Sequence, residues 1–211
     1  MDRSEFLFDG PAEAVLTVVL AHGAGAPMDS PFMNAIAVGL ARAGLRVARF
    51  EFPYMRARRH AGRRGVPDRE PVLLAAWRAA VSVMGGGDRL VIGGKSMGGR
   101  IASMVADELH VHGLICLGYP FHPPGKPTQL RVKHLENLRT PALFLQGSRD
   151  IFGGREEVAR YRLSGEIRLH WLEDGDHSFK PRARSGRTEQ ANLAEAVAAA
   201  ARFALGLARD R

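Results

Sequence analysis

Residues 89–104 form a short apolar run, a glycine-rich turn and an amphipathic pattern typical of a helix, and this segment limits the possible folds of the chain more than any other. Residues 90–92 are typical of a β-strand, and the turn carries the pentapeptide Gly-Lys-Ser-Met-Gly at 94–98. A serine on a sharp strand-to-helix turn has strained backbone angles, and the residues two places away must lack a β-carbon to avoid collision. The pattern predicts that Ser96 is a nucleophile and that the N–H of Met97 points toward a developing oxyanion.

The same turn also contains the Gly-Lys-Ser end of a phosphate-binding P-loop. That motif needs a glycine five residues before its last glycine, and Arg89 occupies this position. Residues 90–92 are strand-like and leave no room for a phosphate cradle. The sequence therefore excludes a P-loop nucleotide site at this turn.

The composition is that of a globular domain. The 211 residues are 45 % hydrophobic and suffice for a substantial core. Cys116 is the single cysteine and no histidines are paired at ligand spacing, so we expect no disulfide, no metal and no organic cofactor. The N-terminus lacks a signal-peptide pattern and no apolar run approaches membrane-spanning length. We therefore expect one cytoplasmic domain over residues 1–211, without membrane contact.

Apolar runs and helical patterns alternate along the chain. This alternation predicts an α/β fold, a doubly wound and mostly parallel sheet of six to seven strands with helices on both faces. The segment at 51–70 is rich in proline and arginine and is predicted as a loop. Predicted strands are an edge strand at 4–8 and runs at 15–20, 45–50, 90–92, 113–117, 141–145 and 166–172, and predicted helices are 31–43, 71–84, one after Ser96, 156–161 and 188–207.

Three polar residues each follow a predicted strand at its carboxyl end: Ser96, Asp150 and His177. In a doubly wound sheet ligands bind at this edge. A hydroxyl nucleophile needs a base to take its proton and an acid to hold that base in one tautomer. Asp174 and Asp176 are rival acids, but Asp176 adjoins His177 and is poorly placed to meet its imidazole. We therefore favour Asp150 as the acid.

The turn at 22–25, His-Gly-Ala-Gly, follows the first long strand and is expected at the same edge. It is predicted to supply the second oxyanion donor, either the N–H of Ala24, which we prefer, or that of Gly25. His22 is expected to shape this turn rather than to react. His177 is preferred over the seven other histidines because it follows the last strand in a glycine-containing turn.

These motifs form a pattern that spans most of the chain, in segments 22–25, 30–33, 49–54, 93–100, 147–150 and 176–179. The pattern resembles that of the α/β-hydrolases, and more narrowly that of small bacterial proteins grouped with dienelactone-hydrolase-like enzymes and with KANSL/TEX-type hydrolase-like proteins. The resemblance implies a Ser-His-Asp hydrolase at Ser96, His177 and Asp150. Dienelactone hydrolases proper use cysteine where this chain has serine. No insertion after residue 118 is long enough for a lid domain.

Basic residues cluster in two loops that are expected at the same sheet edge, in a chain with a formal net charge of +8. One hypothesis is a positive rim that attracts an anionic acyl substrate. The alternatives are a solvated face in an arginine-rich proteome and a nucleic-acid or phosphorylated partner, although no basic motif with interleaved aromatics favours nucleic acid. The residues are Arg56, Arg58, Arg59, Arg63, Arg64, Arg69, Lys180, Arg182, Arg184 and Arg187.

The sequence as a whole predicts a lidless serine hydrolase that cleaves a small ester or thioester, with an anionic acyl group as one option. We expect Gly23, Gly25, Tyr54, Arg58 and Arg59 to contact the substrate. The competing prediction is a protein of the same fold that binds a partner and has little catalytic activity. A small peptidase is disfavoured because nothing resembles the extra domain that restricts peptide access.

Overall fold

The computed structural model describes residues 1–62 and 66–209, and a seven-stranded sheet forms its centre. Each strand is short, from three to six residues. The strands are β1 (Leu7–Asp9), β2 (Thr17–Ala21), β3 (Arg46–Phe50), β4 (Leu90–Lys95), β5 (Gly113–Leu117), β6 (Ala142–Gly147) and β7 (Ile167–Leu172).

The strands lie in the order β1-β3-β2-β4-β5-β6-β7. Every neighbouring pair is parallel except β1 with β3, which is antiparallel. Strand order reverses at β2, because β3 lies on one side of it and β4 on the other. Ligands of such sheets bind beyond the carboxyl ends of the strands at this reversal, which is where β4 delivers Ser96. The predicted doubly wound, mostly parallel α/β sheet is confirmed.

Helices cover both faces of the sheet. Pro31 begins the first long helix with its ring at a position that needs no N–H donor, and Thr188 begins the last one by accepting the N–H of Ala191 at 3.1 Å. The helices in the described residues are α1 (Pro31–Arg42), α2 (Pro53–Ala61), α3 (Glu70–Val83), α4 (Met97–Val105), α5 (Arg155–Val158) and α6 (Glu189–Leu207).

The core consists of two apolar layers, one on each side of the sheet. Alternate residues of β2 face opposite ways, so Val18 packs with α1 and α6 while Val19 packs with α3 and α4. Trp77 of α3 is fully buried in the second layer, with its ring centroid 4.8 Å from that of Phe50. The strands carry apolar residues on both faces, so the sheet is buried between the two helical layers.

The predicted loop at 51–70 contains helix α2, so the prediction is wrong for that segment. Pro53 lies at the first turn of the helix, where a missing N–H costs nothing, and Tyr54 and Met55 bury their side chains. Tertiary burial therefore overrode the loop-like composition. The predicted rim residues Arg63 and Arg64 lie outside the described residues.

None of the helices in the described parts of the chain is both long enough and apolar enough to cross a lipid bilayer. After β5 the chain reaches β6 through a connection whose helical content is one 3₁₀ segment, Lys133–Asn137. That connection agrees with the prediction of a fold without a large lid.

Candidate active site

Ser96 lies between β4 and α4 with a positive φ, at φ 50° and ψ −112°. A positive φ is costly for a residue with a side chain and persists where the surroundings enforce it. The Ser96 N–H donates to the carbonyl oxygen of Leu117 at 2.9 Å, and its own carbonyl accepts the N–H of Arg100 at 2.9 Å. The turn is therefore locked between β5 and the first turn of α4.

The glycines on either side of Ser96 are required by close backbone approach. A β-carbon at Gly94 would lie 2.0 Å from the carbonyl oxygen of Ala21, and one at Gly98 would lie 2.3 Å from the same atom. Gly94 also has φ of 147°, which a side chain would strain. The steric reason given for the pentapeptide therefore holds, and the obstacle is the end of β2.

The structure brings Ser96, His177 and Asp150 into one hydrogen-bonded chain. His177 Nε2 lies 2.9 Å from Ser96 Oγ, and His177 Nδ1 lies 2.8 Å from Asp150 Oδ2. The imidazole ring packs against the ring of Phe152, with centroids 4.4 Å apart. The Asp150 side chain is fully buried, whereas that of His177 keeps 23 % of its surface exposed. This order of groups allows proton transfer from the hydroxyl to an imidazole whose tautomer the carboxylate sets.

Asp150 is held by two further donors. The side-chain amide of Gln146 donates to Oδ2 at 2.9 Å, and the N–H of Phe152 donates to Oδ1 at 2.9 Å. Gln146 is itself oriented, because its Oε1 accepts the N–H of Tyr119 at 2.7 Å. These donors fix the orientation of the Asp150 carboxylate toward His177 Nδ1.

The rival acids are engaged elsewhere. Asp174 pairs with Arg182 and Arg149, and the hydrogen bonds from the Arg182 side chain lower the pKa of Asp174 to about 2. Asp176 accepts the N–H groups of Ser178 and Lys180, within its own loop. Neither carboxylate meets an imidazole in the described residues.

A second serine–histidine pair lies inside the protein. Ser103 Oγ is 2.9 Å from His134 Nε2, and it also donates to the carbonyl of Arg100 at 2.7 Å. Ser103 is buried in the middle of α4. Burial lowers the pKa of His134, and nearby Arg100 lowers it further. No carboxylate in the described residues bonds this imidazole, so the pair lacks both access and an acid.

A pocket of about 480 Å³ opens beside Ser96 and His177. Its walls are mostly apolar and come from the loop after β2, the start of α1 and the loops after β6 and β7. A pocket of this size accommodates a small ligand. The lining residues are Gly23, Ala24, Gly25, Ala26, Ser30, Pro31, Phe32, Met33, Lys95, Ser96, Phe152, His177 and Ser178.

The loop after β2 is fixed by side chains beneath it. His22 is fully buried, with its Nδ1 2.6 Å from the carbonyl oxygen of Gly23, and its Nε2 accepts the N–H of Phe52 at 3.2 Å. Burial lowers the pKa of His22, so the ring is neutral and structural. The Tyr54 hydroxyl donates to the carbonyl oxygen of Ala24 at 2.9 Å.

Two backbone N–H groups of this loop form no hydrogen bond in the described residues. Neither the N–H of Ala24 nor that of Gly25 donates a hydrogen bond there, while both residues line the pocket. The N–H of Met97 lies at the first position of α4, where no carbonyl within the helix can accept it. Both of the alternatives for the second oxyanion donor therefore remain open.

The predicted substrate contacts divide into two groups. Gly23 and Gly25 line the pocket beside Ser96. Tyr54 instead supports the loop from below, and Arg58 and Arg59 line a separate cavity of about 190 Å³ with Pro27, Glu51 and Met55. Tyr54, Arg58 and Arg59, predicted to contact the substrate, lie at the expected edge of the sheet, but none of them lines the pocket beside Ser96.

Several of the predicted rim arginines are ion-paired. Arg59 bridges Asp29 and the buried Glu51, and Glu51 also accepts the N–H of Met28 at 3.4 Å. Arg59 thereby ties α2 to the loop that carries Ala24. The positive rim is partly neutralised, through the pairs Arg56–Glu5, Arg59–Asp29, Arg59–Glu51, Arg182–Asp174 and Arg187–Glu195.

A comparison of the chain with models of protein families agrees with the geometry of the site. A family model described as an alpha/beta hydrolase domain matches residues 14–205, which is most of the chain. The chain therefore belongs to the α/β-hydrolase family, as its motifs predicted.

Solved structures share the fold over nearly the whole chain. A dienelactone hydrolase from Anabaena variabilis is 21 % identical, with a TM-score of 0.72 over 95 % of this chain and 90 % of that one. An alpha-beta serine hydrolase homologue from Coxiella burnetii is 19 % identical, with a TM-score of 0.69 over 96 % and 93 %. A serine hydrolase without a lid from Xanthomonas campestris is 19 % identical, with a TM-score of 0.59 over 92 % and 88 %. At these identities the likeness concerns the fold.

Proposed function

We propose that this protein is a serine hydrolase that cleaves a small ester or thioester through an acyl-enzyme, as one domain over residues 1–211. The observation that carries the proposal is the hydrogen-bonded chain from Ser96 through His177 to Asp150, at the mouth of a mostly apolar pocket. The family to which the chain belongs and the fold of its structural neighbours support the same reaction class.

In the proposed reaction His177 Nε2 takes the proton of Ser96 Oγ as this oxygen attacks the carbonyl carbon of the substrate. The carbonyl oxygen becomes an oxyanion, which accepts hydrogen bonds from the N–H of Met97 and from that of Ala24 or Gly25. Each such donor typically contributes about 3–4 kcal/mol to the transition state. The protonated imidazole then gives its proton to the departing alcohol or thiol, and the acyl group stays on Ser96.

Release of the acyl group reverses these roles. A water molecule gives a proton to His177 and attacks the acyl carbon, and the same donors hold the second oxyanion. Asp150 keeps Nδ1 protonated and offsets the positive charge of the imidazolium in both halves. Gln146 and the N–H of Phe152 keep the Asp150 carboxylate in the orientation that this requires.

The pocket favours a small substrate. It measures about 480 Å³, its walls are mostly apolar, and only Lys95 and His177 carry ionisable side chains among its lining residues. These dimensions suit a short acyl chain better than a polypeptide.

The proposal is tested with a fluorophosphonate probe, which labels activated serines. We expect the wild type to be labelled, and we expect no labelling of Ser96→Ala or His177→Ala. Ser103→Ala is a matched control, because Ser103 also lies 2.9 Å from a histidine nitrogen yet is buried and lacks an acid. It is expected to keep the label.

Two outcomes would contradict the proposal. A folded wild type that takes up no probe favours the competing prediction of a partner-binding protein. Labelling that disappears in Ser103→Ala and persists in Ser96→Ala would move the nucleophile to the second pair. If labelling follows Ser96, short-chain esters and thioesters are the first substrates to measure.

A further inference from the structure

Lys95 is the residue directly before Ser96, and it is one of the residues that line the pocket. It is only 9 % exposed, although it carries an ammonium group. Its Nζ donates to the carbonyl oxygen of His177 at 2.5 Å and lies 5.4 Å from the centroid of the Phe32 ring. The proposed mechanism makes no use of this cation.

The charge of Lys95 lacks a directly paired partner in the described residues. An ammonium group has three N–H donors, and the described residues accept one of them, at the His177 carbonyl. No carboxylate there lies within 4.0 Å of Nζ, so the group forms no salt bridge. A buried charge without a counter-ion is costly and is usually retained where it meets an opposite charge.

Lys95 is in its positively charged form at neutral pH, which is the form that binds an anion. Burial lowers the pKa of Lys95 to about 8, and Asp150 and Asp176 oppose this shift from a distance. The ammonium form therefore predominates at neutral pH. The imidazole of His177 is the other ionisable side chain of the pocket, and the remaining lining residues are apolar, glycine or serine.

We propose that the Lys95 ammonium binds a carboxylate carried by the acyl part of the substrate, so that the preferred substrates are half-esters or half-thioesters of short dicarboxylic acids. This inference rests on the proposed hydrolase function and specifies its substrate class. The acyl part is favoured over the alcohol because the acyl group stays bonded to Ser96, the next residue along the chain, while the alcohol leaves. An anion in an apolar pocket loses its hydration, and the two remaining N–H donors of Lys95 replace part of it.

The first arm of the test compares matched substrates. The monoethyl esters of succinic, glutaric and adipic acid are each compared with the ethyl ester of the corresponding monoamide, which has the same shape without the charge. We expect the wild type to prefer the anionic ester, in kcat/KM, by about tenfold or more for at least one chain length, as is typical of a hydrogen bond between charged groups. Wild-type ratios at or below one for all three lengths would overturn the proposal.

The ratio of the two substrates is also the readout for the variants. Lys95→Met is expected to abolish the preference even if it slows both substrates, since loss of the His177 contact affects anionic and neutral esters alike. Lys126→Met, in the exposed connection after β5, is the matched control and should retain the wild-type ratio. A preference that survives in Lys95→Met would assign the anion to another group and refute the proposal. Lys95→Gln replaces this variant if the methionine protein does not fold.

A binding arm separates this inference from the hydrolase function. Succinate, glutarate and adipate are titrated into Ser96→Ala and into Ser96→Ala with Lys95→Met, by calorimetry. Binding of at least one acid that weakens about tenfold or more without Lys95 supports the anion site even if no ester is hydrolysed. Hydrolysis without a charge preference leaves the hydrolase function in place and refutes the anion site. Absence of Lys95-dependent binding to Ser96→Ala likewise counts against the anion site.

Discussion

The side-chain amide of Gln146 lies 2.9 Å from Asp150 Oδ2, the same oxygen that meets the Nδ1 of His177 at 2.8 Å. Gln146 is fully buried at the end of β6, and its own oxygen accepts the N–H of Tyr119 from the segment after β5. One glutamine therefore connects the carboxylate of the proposed triad to the neighbouring strand connection. Among the hydrogen bonds of the described residues Gln146 meets Asp150 and not Ser96, so we expect it to position the carboxylate rather than to react.

The variant Gln146→Met keeps the approximate shape of the side chain and removes its four hydrogen bonds, which also include those from Nε2 to the carbonyl oxygens of Tyr119 and Gly153 at 3.2 Å. We expect the free energy of unfolding to fall by about 1–3 kcal/mol, because the Tyr119 N–H is left buried without an acceptor. We also expect kcat/KM to fall by about tenfold, since the Asp150 carboxylate loses one of the donors that hold it toward His177 Nδ1. Urea unfolding and steady-state kinetics of ester hydrolysis measure the two effects. Gln129→Met, at an exposed position, is the control, and lost stability with an unchanged kcat/KM would show that Gln146 is only structural.

The choice of Asp150 over its rivals is testable with isosteric variants. Asp150→Asn is expected to lower kcat by about 10³- to 10⁴-fold, because an amide facing Nδ1 stabilises the wrong imidazole tautomer. Asp176→Asn is the matched control, as this residue adjoins His177 in sequence but bonds the N–H groups of its own loop. Steady-state kinetics on one ester compare the two. Equal losses in both variants, or a larger loss in Asp176→Asn, would contradict the assignment.

The close approach of α4 to β2 predicts a stability effect at Gly98. A β-carbon there would lie 2.3 Å from the Ala21 carbonyl oxygen, so Gly98→Ala should destabilise the protein by about 1–3 kcal/mol or force the turn to move. Gly206→Ala, in the last turn of α6, meets nothing within 4 Å and should be neutral or stabilising by up to about 1 kcal/mol. Urea unfolding measures the free energy of unfolding of both variants relative to the wild type. Equal stabilities would mean that the turn at Ser96 relaxes freely.

Lys95 predicts a pH-dependent difference in stability. Burial lowers its pKa in the folded protein from 10.5 to about 8, so between these values the unfolded chain binds more protons than the folded one. The penalty for burying the charge is therefore complete below pH 8 and is lost as the pH rises toward 10.5. Its size is on the order of 3 kcal/mol.

The comparison between wild type and Lys95→Met isolates this effect, because the nearby Asp150, Asp176 and His177 are common to both proteins. The unfolding free energy of the wild type, relative to the variant, should increase between pH 7.5 and pH 10. Urea unfolding at several pH values measures it. A constant difference over this range would mean that Lys95 keeps an ordinary pKa in the folded protein.

Much of the site was predictable because its requirements are local or topological. A strand, a serine between glycines and a helix specify a strained turn through neighbouring atoms alone. Parallel strands bring their carboxyl ends to one edge, so residues that follow β4, β6 and β7 were expected to meet there. The hydrogen-bonded chain of Ser96, Asp150 and His177 follows that expectation, while its catalytic role stays a prediction.

Other residues depended on partners that are distant in sequence. Gln146 and Phe152 give no signal in the sequence as supports of Asp150. Lys95 enters the sequence analysis only through the pentapeptide and the excluded P-loop pattern, although its place beside Ser96 is the available clue. The arginines after β3 suggested a positive rim, but Arg56 and Arg59 meet Glu5, Asp29 and Glu51. A sequence gives the number of basic residues, but it does not show which carboxylates the fold brings within ion-pairing distance of them.

Strand patterns and glycine sterics act over a few neighbouring residues, so the amino-acid sequence was enough to predict the sheet, the turn at Ser96 and the strand ends that carry the candidate site. Contacts between distant segments make residues 53–61 helical, join Arg59 to the loop after β2 and bury the Lys95 ammonium beside His177. These outcomes depend on which side chains the packed core brings within hydrogen-bonding distance. Burial then changes the pKa of each ionisable group and the energy with which it interacts with other charges.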